Sequence, residues 1–328
     1  MVLLALAILT GCGGDASGSD PGNVSGNTSG ATRAVKDTDG VSITVPEHPE
    51  RVVVLSEPTL DGALAVGVTP IGTVAGRGQG GVPNYIADLA ADIPILGSVA
   101  QPNFEAIGKA DPDLILVDGS SVNNNPDVLK ALASIAPVVY TGLAGGDWRE
   151  NFQLTADALN KSDEAAKILE EYDAEAARVR QELAPAWGDK TFAIVRWQGN
   201  APSLILKELP AGVALTDMGL QRPPSQDRMG RGHSDPVSLE NLATIDADHM
   251  FFGTLGGSSV NNPNAGGGTD VTEAQKALET AEKVPGFTDL VAYRNEGITL
   301  VDGSLWTSTG GPILMSRLVA NVEEALNK

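Results

Sequence analysis

Arginine and tryptophan side chains follow several predicted strands of this 328-residue chain or lie in a polar loop of its second half. Small ligands of open α/β sheets bind beyond the carboxyl ends of the strands, so residues at those positions are candidates for binding. The candidate ligand-binding residues are Arg77, Arg196, Trp197, Arg222, Arg231 and Trp306. A guanidinium fork matches anionic oxygens, and an indole face packs on rings or holds a cation. These residue types predict a site for a small ligand that offers anionic oxygens, a ring or a cation.

Two other chemistries have weaker support. Residues 76–81, GRGQGG, fit the dinucleotide pattern G-x-G-x-x-G, but they follow the second strand of their lobe and no clear acid ends the next strand. Of the histidines, His48 lies next to a proline and His249 begins a buried strand, whereas His233 shares a loop with Arg231 and could face a ligand. No G-x-S-x-G motif supports a hydrolase, and no metal site or cofactor is expected. We therefore expect a binding protein and not an enzyme.

The charge balance excludes a protein that binds nucleic acid through its phosphates. The chain has 22 Lys and Arg residues against 42 Asp and Glu residues, a net charge of −20 and a pI near 4.4. No basic face can dominate such a surface. Arginines gathered at the mouth of a cleft would instead form a local positive region on an acidic molecule.

The amino-terminal residues predict a lipid anchor. The apolar run 2–9 is too short to span a bilayer but has the length of a signal-peptide core, and Leu9-Thr10-Gly11-Cys12 matches the bacterial lipobox. No Lys or Arg precedes the run, so we expect the natural start to lie upstream; an ordinary secretory signal is the alternative. Residues 13–32 are rich in Gly, Ser and Asn and predict a flexible tether. Cys12, the single cysteine, is the expected lipidation site, on the outer face of the cell membrane.

From residue 33 onward the pattern predicts a hairpin around Asp39-Gly40 and then short buried strands alternating with helices. The predicted strands are 52–55, 70–74, 114–117, 137–140, 192–197, 203–207, 249–253 and 298–302. Residues 162–184 break this alternation, because apolar residues recur there at helical spacing up to Pro185. The predicted fold is α/β, with two Rossmann-like βα lobes joined by a single long rigid helix. The expected segments are a signal peptide 1–12, a tether 13–32, lobes 33–160 and 188–328, and a linking helix 161–187.

An internal repeat supports two related lobes. The segment Phe104-Glu105-x-Ile107 is followed by Asp111 and Asp113, and the segment Leu239-Glu240-x-Leu242 is followed by Asp246 and Asp248. The spacing from the glutamate to each aspartate is the same in both copies. Each copy predicts a short helix that ends just before a buried strand.

Taken in order, these motifs resemble a known family. The carriers are Pro49-Glu50-Arg51 before the first core strand, Pro102-Asn103-Phe104-Glu105 leading into Ala110-Asp111-Pro112-Asp113, residues 219–226 (GLQRPPSQ), and Trp306 followed by Gly310-Gly311. Downstream of a lipobox, they resemble the class III solute-binding lipoproteins of ABC importers. That group binds ferric siderophores, haem or cobalamin, and the Arg-Pro-Pro-Ser-Gln run is most similar to actinobacterial iron-siderophore binders.

The resemblance implies a ferric siderophore bound between the lobes, with little hinge motion, and haem or cobalamin as the alternative ligand. Haem stays open because His233 could supply an axial ligand. The resemblance also implies a monomer that works with the permease and ATPase subunits of an importer. By position in the matched motifs, Glu105 and Glu240 would meet basic sockets on the permease.

Overall fold

The structure, a computed structural model, describes residues 30–122, 125–256 and 267–327. Cys12 and nearly all of the predicted tether lie outside these residues. Within the part of the chain that is described, no helix combines the length and the apolar character needed to cross a membrane.

The elements alternate as the sequence predicts for an α/β protein. The strands are β1 (Thr32–Lys36), β2 (Ser42–Pro46), β3 (Val52–Val54), β4 (Thr73–Ala75), β5 (Ile95–Ser98), β6 (Gln101–Pro102), β7 (Leu114–Val117), β8 (Val138–Tyr140), β9 (Phe192–Gln198), β10 (Ala201–Leu204), β11 (Asp235–Pro236), β12 (His249–Gly253) and β13 (Ile298–Leu300). The helices are α1 (Glu57–Ala65), α2 (Phe104–Lys109), α3 (Gly119–Val122), α4 (Pro126–Ala133), α5 (Trp148–Ala158), α6 (Ser162–Trp187), α7 (Pro210–Asp217), α8 (Val271–Ala281), α9 (Val291–Arg294), α10 (Gly303–Trp306) and α11 (Pro312–Leu326). Short 3-10 helices span Asn84–Ile86, Leu239–Ile245 and Phe287–Asp289.

In the first lobe, β3, β7 and β8 form a parallel sheet in that order. A bridge between Val53 and Gly72 places β4 beside the free edge of β3. The residues of β3 and β7 are buried on both faces, which explains their continuous apolar sequences. Their carboxyl ends share one edge of the sheet, and that edge faces the second lobe.

In the second lobe the sheet order is β11-β10-β9-β12-β13. The strands β9, β12 and β13 are parallel, as predicted, but β10 runs antiparallel to β9. Strict βα alternation was the wrong expectation here. Only two residues, Gly199 and Asn200, separate β9 from β10, and a connection this short permits only a hairpin. Gly199 adopts a φ of +58°, which suits a tight turn.

The long helix α6 joins the lobes and continues two residues past Pro185. A proline in the last turn removes one N–H donor without ending the helix at once. The buried face of α6 carries Leu169, Tyr172 and Val179, which belong to one hydrophobic core that also includes Val54 of β3 and Leu318 of α11. This shared core ties both lobes together behind the cleft.

A buried carboxylate adds a polar anchor to this core. Asp61 of α1 accepts hydrogen bonds from the backbone N–H groups of Ile313 (2.9 Å) and Leu314 (3.0 Å) at the start of α11, and from the Tyr85 hydroxyl (2.9 Å). Asp61 is fully buried, and burial raises the pKa of its carboxyl. A helix from the second lobe is thereby fastened to the first lobe.

Candidate ligand-binding cleft

The carboxyl ends of the parallel strands in both lobes open onto one small cavity of about 160 Å³. Loops after β4, β7 and β8 supply its wall on one side, and residues from the second lobe supply the other. The lining residues are Arg77, Gly119, Ser120, Ala144, Arg196, Leu209, Arg231, Gly232, His233, Ser234, Thr307, Ser308 and Thr309. Three of the predicted ligand-binding arginines therefore meet in one place.

Arg196 ends up in the cavity wall because of the side-chain alternation along β9. Residues Phe192 and Ile194 face the core shared by the lobes, whereas Trp197 packs in a separate core of the second lobe. Arg196 lies on the same side as Ile194, near the carboxyl end of the strand, and only 5% of it is exposed. Its Nη1 donates to the Thr307 carbonyl (3.0 Å) and its Nη2 to the Ser234 hydroxyl.

Arg77 reaches the cavity from the first lobe. Its backbone N–H donates to the carboxylate of Glu57, and its Nη2 donates to the Ser120 carbonyl at 2.6 Å. Burial, and then the positive charge of Arg77, lower the pKa of Arg196 to about 10. Both arginines line the same cavity, so their positive charges repel each other there.

Arg231 and His233 add further cationic or polar groups on the second-lobe side. Burial lowers the pKa of His233, and the charges of Arg196, Arg77 and Arg231 lower it further. None of the lining residues named above is acidic. The side chains that line the cavity are therefore cationic, polar or apolar, and the nearest carboxylates lie behind them.

Two acids lie just outside this wall, in the first lobe. Glu57 and Asp118 are each 2% exposed, and burial raises the pKa of both carboxyls. Asp118 is held by the backbone N–H (3.0 Å) and the hydroxyl (2.6 Å) of Ser120. Glu57 accepts from the backbone of Arg77, and Asp118 accepts from Ser120, so these hydrogen bonds orient the loops that carry Arg77 and Ser120.

The second-lobe wall also offers hydroxyl groups. Among the described residues, Ser308 Oγ and Thr309 Oγ1 are buried and have no hydrogen-bond partner, and neither has Nε of Arg196. Buried polar atoms normally find partners, so these atoms are available to bond a polar group that enters the cavity. Sequence analysis did not select this run, although Thr307-Ser308-Thr309 directly follows Trp306 and precedes two glycines.

The structure does not bring the other three predicted residues to the cavity. Trp197 is fully buried and packs edge-to-face on Phe287 (5.5 Å between ring centroids). Trp306 stacks on Phe251 (4.1 Å) inside the shared core. Arg222 is 6% exposed and donates to the Ile205 carbonyl at 2.7 Å. A position after a strand does not reveal which way a side chain turns.

The structure also gives no support for the dinucleotide and metal-binding alternatives within the described residues. The loop 76–81 leads into the 3-10 helix Asn84–Ile86 and not into an α-helix, so it lacks the helix start on which a dinucleotide pyrophosphate rests. His249 lies in an aromatic cluster, with its Nε2 2.9 Å from the Thr299 hydroxyl. In the described ranges, no three His, Cys, Asp or Glu side chains are grouped so that they could hold a metal ion.

The internal repeat has a structural counterpart in both lobes. Asp113 accepts from the N–H groups of Glu50 (2.9 Å) and Arg51 (3.0 Å), just before β3, and Asp248 accepts from the N–H of Thr191 (2.8 Å), just before β9. In each lobe the acid thus holds the start of the neighbouring parallel strand. The equivalence of the two copies is therefore structural as well as sequential.

The glutamates of the repeat lie on the surface. Glu105 is exposed in the first turn of α2, and Glu240 is exposed in the first turn of the 3-10 helix Leu239–Ile245. Each follows an exposed apolar residue, Phe104 (39% exposed) or Leu239 (43%). Each lobe therefore presents an exposed apolar residue followed by an exposed glutamate on its surface.

The sequence profile of the periplasmic binding protein family matches residues 52–302, which is most of the chain. The chain belongs to this family. Periplasmic binding proteins of this kind bind substrates for ABC transporters and are not enzymes, so the predicted fold class and substrate-binding role are confirmed.

Similar proteins extend this assignment. This periplasmic binding protein is 27% identical to the probable siderophore-binding lipoprotein YfiY of Bacillus subtilis, over 98% of this chain and 94% of YfiY. It is 30% identical to the Fe(3+)-citrate-binding protein YfmC of the same organism, over 95% of this chain and 90% of YfmC. The structure of Staphylococcus aureus SirA complexed with staphyloferrin B is similar with a TM-score of 0.74 at 26% identity, covering 90% of this chain and 99% of SirA. The actinobacterial subtype stays a prediction.

Proposed function

We propose that this periplasmic binding protein captures an anionic ferric chelate between its lobes and delivers it to the permease of an ABC importer. One observation carries the proposal. Arg77, Arg196 and Arg231 converge on one cavity whose named lining residues include no carboxylate. An anionic ligand would supply the missing negative charge.

The energetics favour such a ligand. A buried guanidinium without a counter-charge is costly, and the lowered pKa of Arg196 reflects that cost. Charge-assisted hydrogen bonds from arginine to carboxylate oxygens are about twice as strong as neutral ones. Binding therefore relieves the repulsion between Arg77 and Arg196. The protein as a whole has a net charge of −20, so the cavity is a local positive region that attracts anions on an otherwise acidic molecule.

The lining favours a chelate rich in carboxylate or hydroxyl oxygens. Besides the cations it offers hydroxyls such as Ser308 and Thr309, whereas Leu209 and Ala144 are its apolar side chains. Of the similar proteins, YfmC is named as an Fe(3+)-citrate-binding protein, and the SirA structure is a complex with staphyloferrin B. Haem binds best between broad apolar walls, and this cavity has few apolar side chains. His233 could contact haem iron, but the three arginines favour an anionic chelate more strongly.

A fluorescence titration tests the proposal. The panel consists of ferric citrate, a ferric hydroxamate, a ferric catecholate, haemin and cobalamin, with tryptophan quenching as the readout. We expect ferric citrate or another carboxylate chelate to bind at micromolar concentration or tighter, more weakly as salt rises. Binding of haemin or cobalamin alone would replace the proposed ligand. If no member of the panel binds, the proposal fails.

Delivery and attachment complete the proposed function. The exposed Glu105 and Glu240 would each enter a basic socket on the permease, one per lobe, with the ATPase subunits driving transport. Their equivalent places in the repeat support this, since a permease with two similar subunits presents the same socket twice. Cys12 would carry the lipid, and residues 13–32 would let a monomeric binding protein reach the permease from its membrane anchor.

A further inference from the structure

A buried carboxylate of the second lobe lies behind the cleft. Glu208 lies between β10 and α7, and only 6% of it is exposed. Its Oε2 accepts a hydrogen bond from the backbone N–H of Gly230 (2.8 Å), and its Oε1 accepts one from the N–H of Gly232 (3.2 Å). These two glycines are the chain neighbours of Arg231, which lines the cavity. Glu208 therefore bonds the chain on both sides of a cleft arginine.

The segment that Glu208 bonds, which we name the 228–234 loop, carries four of the residues that line the cavity. At the start of the loop, the N–H of Lys207 donates to the carbonyl of Arg228 (3.3 Å), and just after its end β11 pairs with β10. Between these points, within the described residues, the hydrogen bonds that the loop's backbone N–H groups donate are the two to Glu208. Glu208 is thus the main anchor of the middle of the loop.

The loop approaches Glu208 closely because glycine stands on both sides of Arg231. A Cβ added to Gly230 would lie 2.5 Å from Oε1 of Glu208 and 2.9 Å from Cδ1 of Leu206. Gly232 adopts a φ of +71°, a conformation that favours glycine. The local sequence therefore allows one carboxylate to accept from two N–H groups that are two residues apart.

The side chain of Arg231 has no anchor of its own. Arg196 donates to the Thr307 carbonyl and the Ser234 hydroxyl, and Arg77 donates to the Ser120 carbonyl. For the guanidinium of Arg231, the described part of the chain provides neither a hydrogen bond nor an ion pair. Its place in the cavity wall therefore depends on the backbone that carries it, and its donors stay available to a ligand.

We propose that Glu208 is a positioning residue of the ligand site, which holds Gly230 and Gly232 so that Arg231 points into the cleft. The proposal rests on the proposed function only in that Arg231 meets an anionic ligand there. Positioning and charge predict opposite effects of Glu208 on affinity. A negative charge behind a cationic site weakens anion binding by Coulomb's law, whereas a correctly placed arginine strengthens it.

Titration calorimetry with ferric citrate separates these two effects in Glu208→Gln. Glutamine has nearly the same shape but a single acceptor oxygen, so it can bond only one of the two N–H groups. We expect the affinity to fall about 5- to 20-fold, because a misplaced charged group loses much of its contribution to binding. Loss of a negative charge alone would instead strengthen binding. An affinity equal to or above that of the wild type, with the fold intact by circular dichroism, overturns the proposal.

Two further variants control for folding and for charge. Glu208→Asp keeps the charge but withdraws the carboxylate by one methylene group, so positioning predicts weaker binding and charge alone predicts no change. Asp227→Asn removes an exposed acid that pairs with Lys207 (2.8 Å) and does not contact the two glycines. It should bind ferric citrate as the wild type does or slightly more tightly. Weaker binding by Asp227→Asn equal to that of Glu208→Gln would also overturn the proposal.

A double-mutant cycle tests whether Glu208 acts through Arg231. In an Arg231→Met background, Glu208→Gln should change the affinity for ferric citrate by less than about 2-fold, because the residue it positions is gone. An equal loss of affinity in both backgrounds would mean that Glu208 acts through the fold or through another residue, and the assignment to Arg231 would be wrong.

Hydrogen exchange gives a measurement that needs no ligand. The amides of Gly230 and Gly232 should exchange about 10-fold faster in Glu208→Gln than in the wild type, whereas Asp227→Asn should keep the wild-type rates. If ferric citrate does not bind the wild type, that ligand fails for the proposed function. The exchange rates still decide the role of Glu208, since unchanged rates in Glu208→Gln would overturn it.

Discussion

Arg77 of the first lobe and Arg196 of the second face each other across the cleft, and the charge of Arg77 is the second cause, after burial, that lowers the pKa of Arg196. Like charges placed this way destabilise the empty protein. An anionic ligand between the two guanidinium groups would neutralise this repulsion, so the pair fits the proposed binding site.

Replacing Arg196 should separate binding from stability. We expect Arg196→Met to weaken an anionic chelate by about 1.5–3 kcal/mol, as a charge-assisted hydrogen bond is lost. Because the repulsion and desolvation cost also disappear, the free energy of unfolding should stay the same or rise by up to about 2 kcal/mol. Titration calorimetry and urea unfolding measure the two quantities.

Arg222→Met is the matched control for this prediction. Arg222 is also buried in the second lobe, with its pKa lowered to about 10 chiefly by burial, but it does not line the cavity. Its substitution should leave the chelate affinity unchanged. Equal loss of affinity in both variants would show that Arg196 acts through the fold and not through the ligand.

Replacing both Glu105 and Glu240 by alanine should abolish uptake while leaving chelate affinity and melting temperature nearly unchanged. Both side chains are exposed, so their loss costs at most a helix-dipole contact of a few tenths to about 1 kcal/mol. The control is the pair Glu150→Ala and Glu279→Ala, which removes two other exposed acids. Uptake of radioactive iron by cells is the measurement. Near-normal uptake in the Glu105/Glu240 variant would contradict docking through these residues.

His249 should make the folded state sensitive to acid. Burial lowers the pKa of His249 to about 4, below its ordinary value of 6.5. As the pH falls from about 6.5 to 4, the unfolded chain binds a proton before the folded one, so stability is lost in that window, by about 2–3 kcal/mol. Comparing the pH dependence of unfolding for the wild type and His249→Gln isolates this contribution from the buried acids. Identical pH slopes would refute it.

The two strand-anchoring aspartates should matter for stability and not for binding. Asp113→Ala and Asp248→Ala each remove a carboxylate that accepts backbone N–H groups at the start of a neighbouring strand, so each should lower the free energy of unfolding by about 1–3 kcal/mol. Asp88→Ala, at an exposed position, is the control. Urea unfolding gives the stabilities, and titration should show unchanged chelate affinity. A loss of stability in only one lobe would mean that the two copies of the repeat are not equivalent.

Local sequence patterns determined most of the architecture. Continuous apolar runs predicted β7 (Leu114–Val117) and β12 (His249–Gly253) at their observed bounds, because strands buried on both faces tolerate few polar residues. The spacing of apolar residues predicted α6, since the buried stripe of a helix repeats every three or four positions. The repeat predicted two related lobes, and Asp113 and Asp248 hold equivalent bonds in them.

Tertiary structure alone decided which strand-end residues share a cavity. Arg196 and Trp197 are neighbours in sequence, yet the alternation of β9 turns one toward the cleft and the other into a core. Arg77 and Arg231 join Arg196 only because the shared core sets the two lobes edge to edge. Gly145 and Gly232 give a second case, since nothing near Gly145 in the sequence specifies that Gly232 will lie against it. Contacts between distant segments depend on how whole lobes pack against each other. A local sequence pattern indicates only which residues of its own segment are buried.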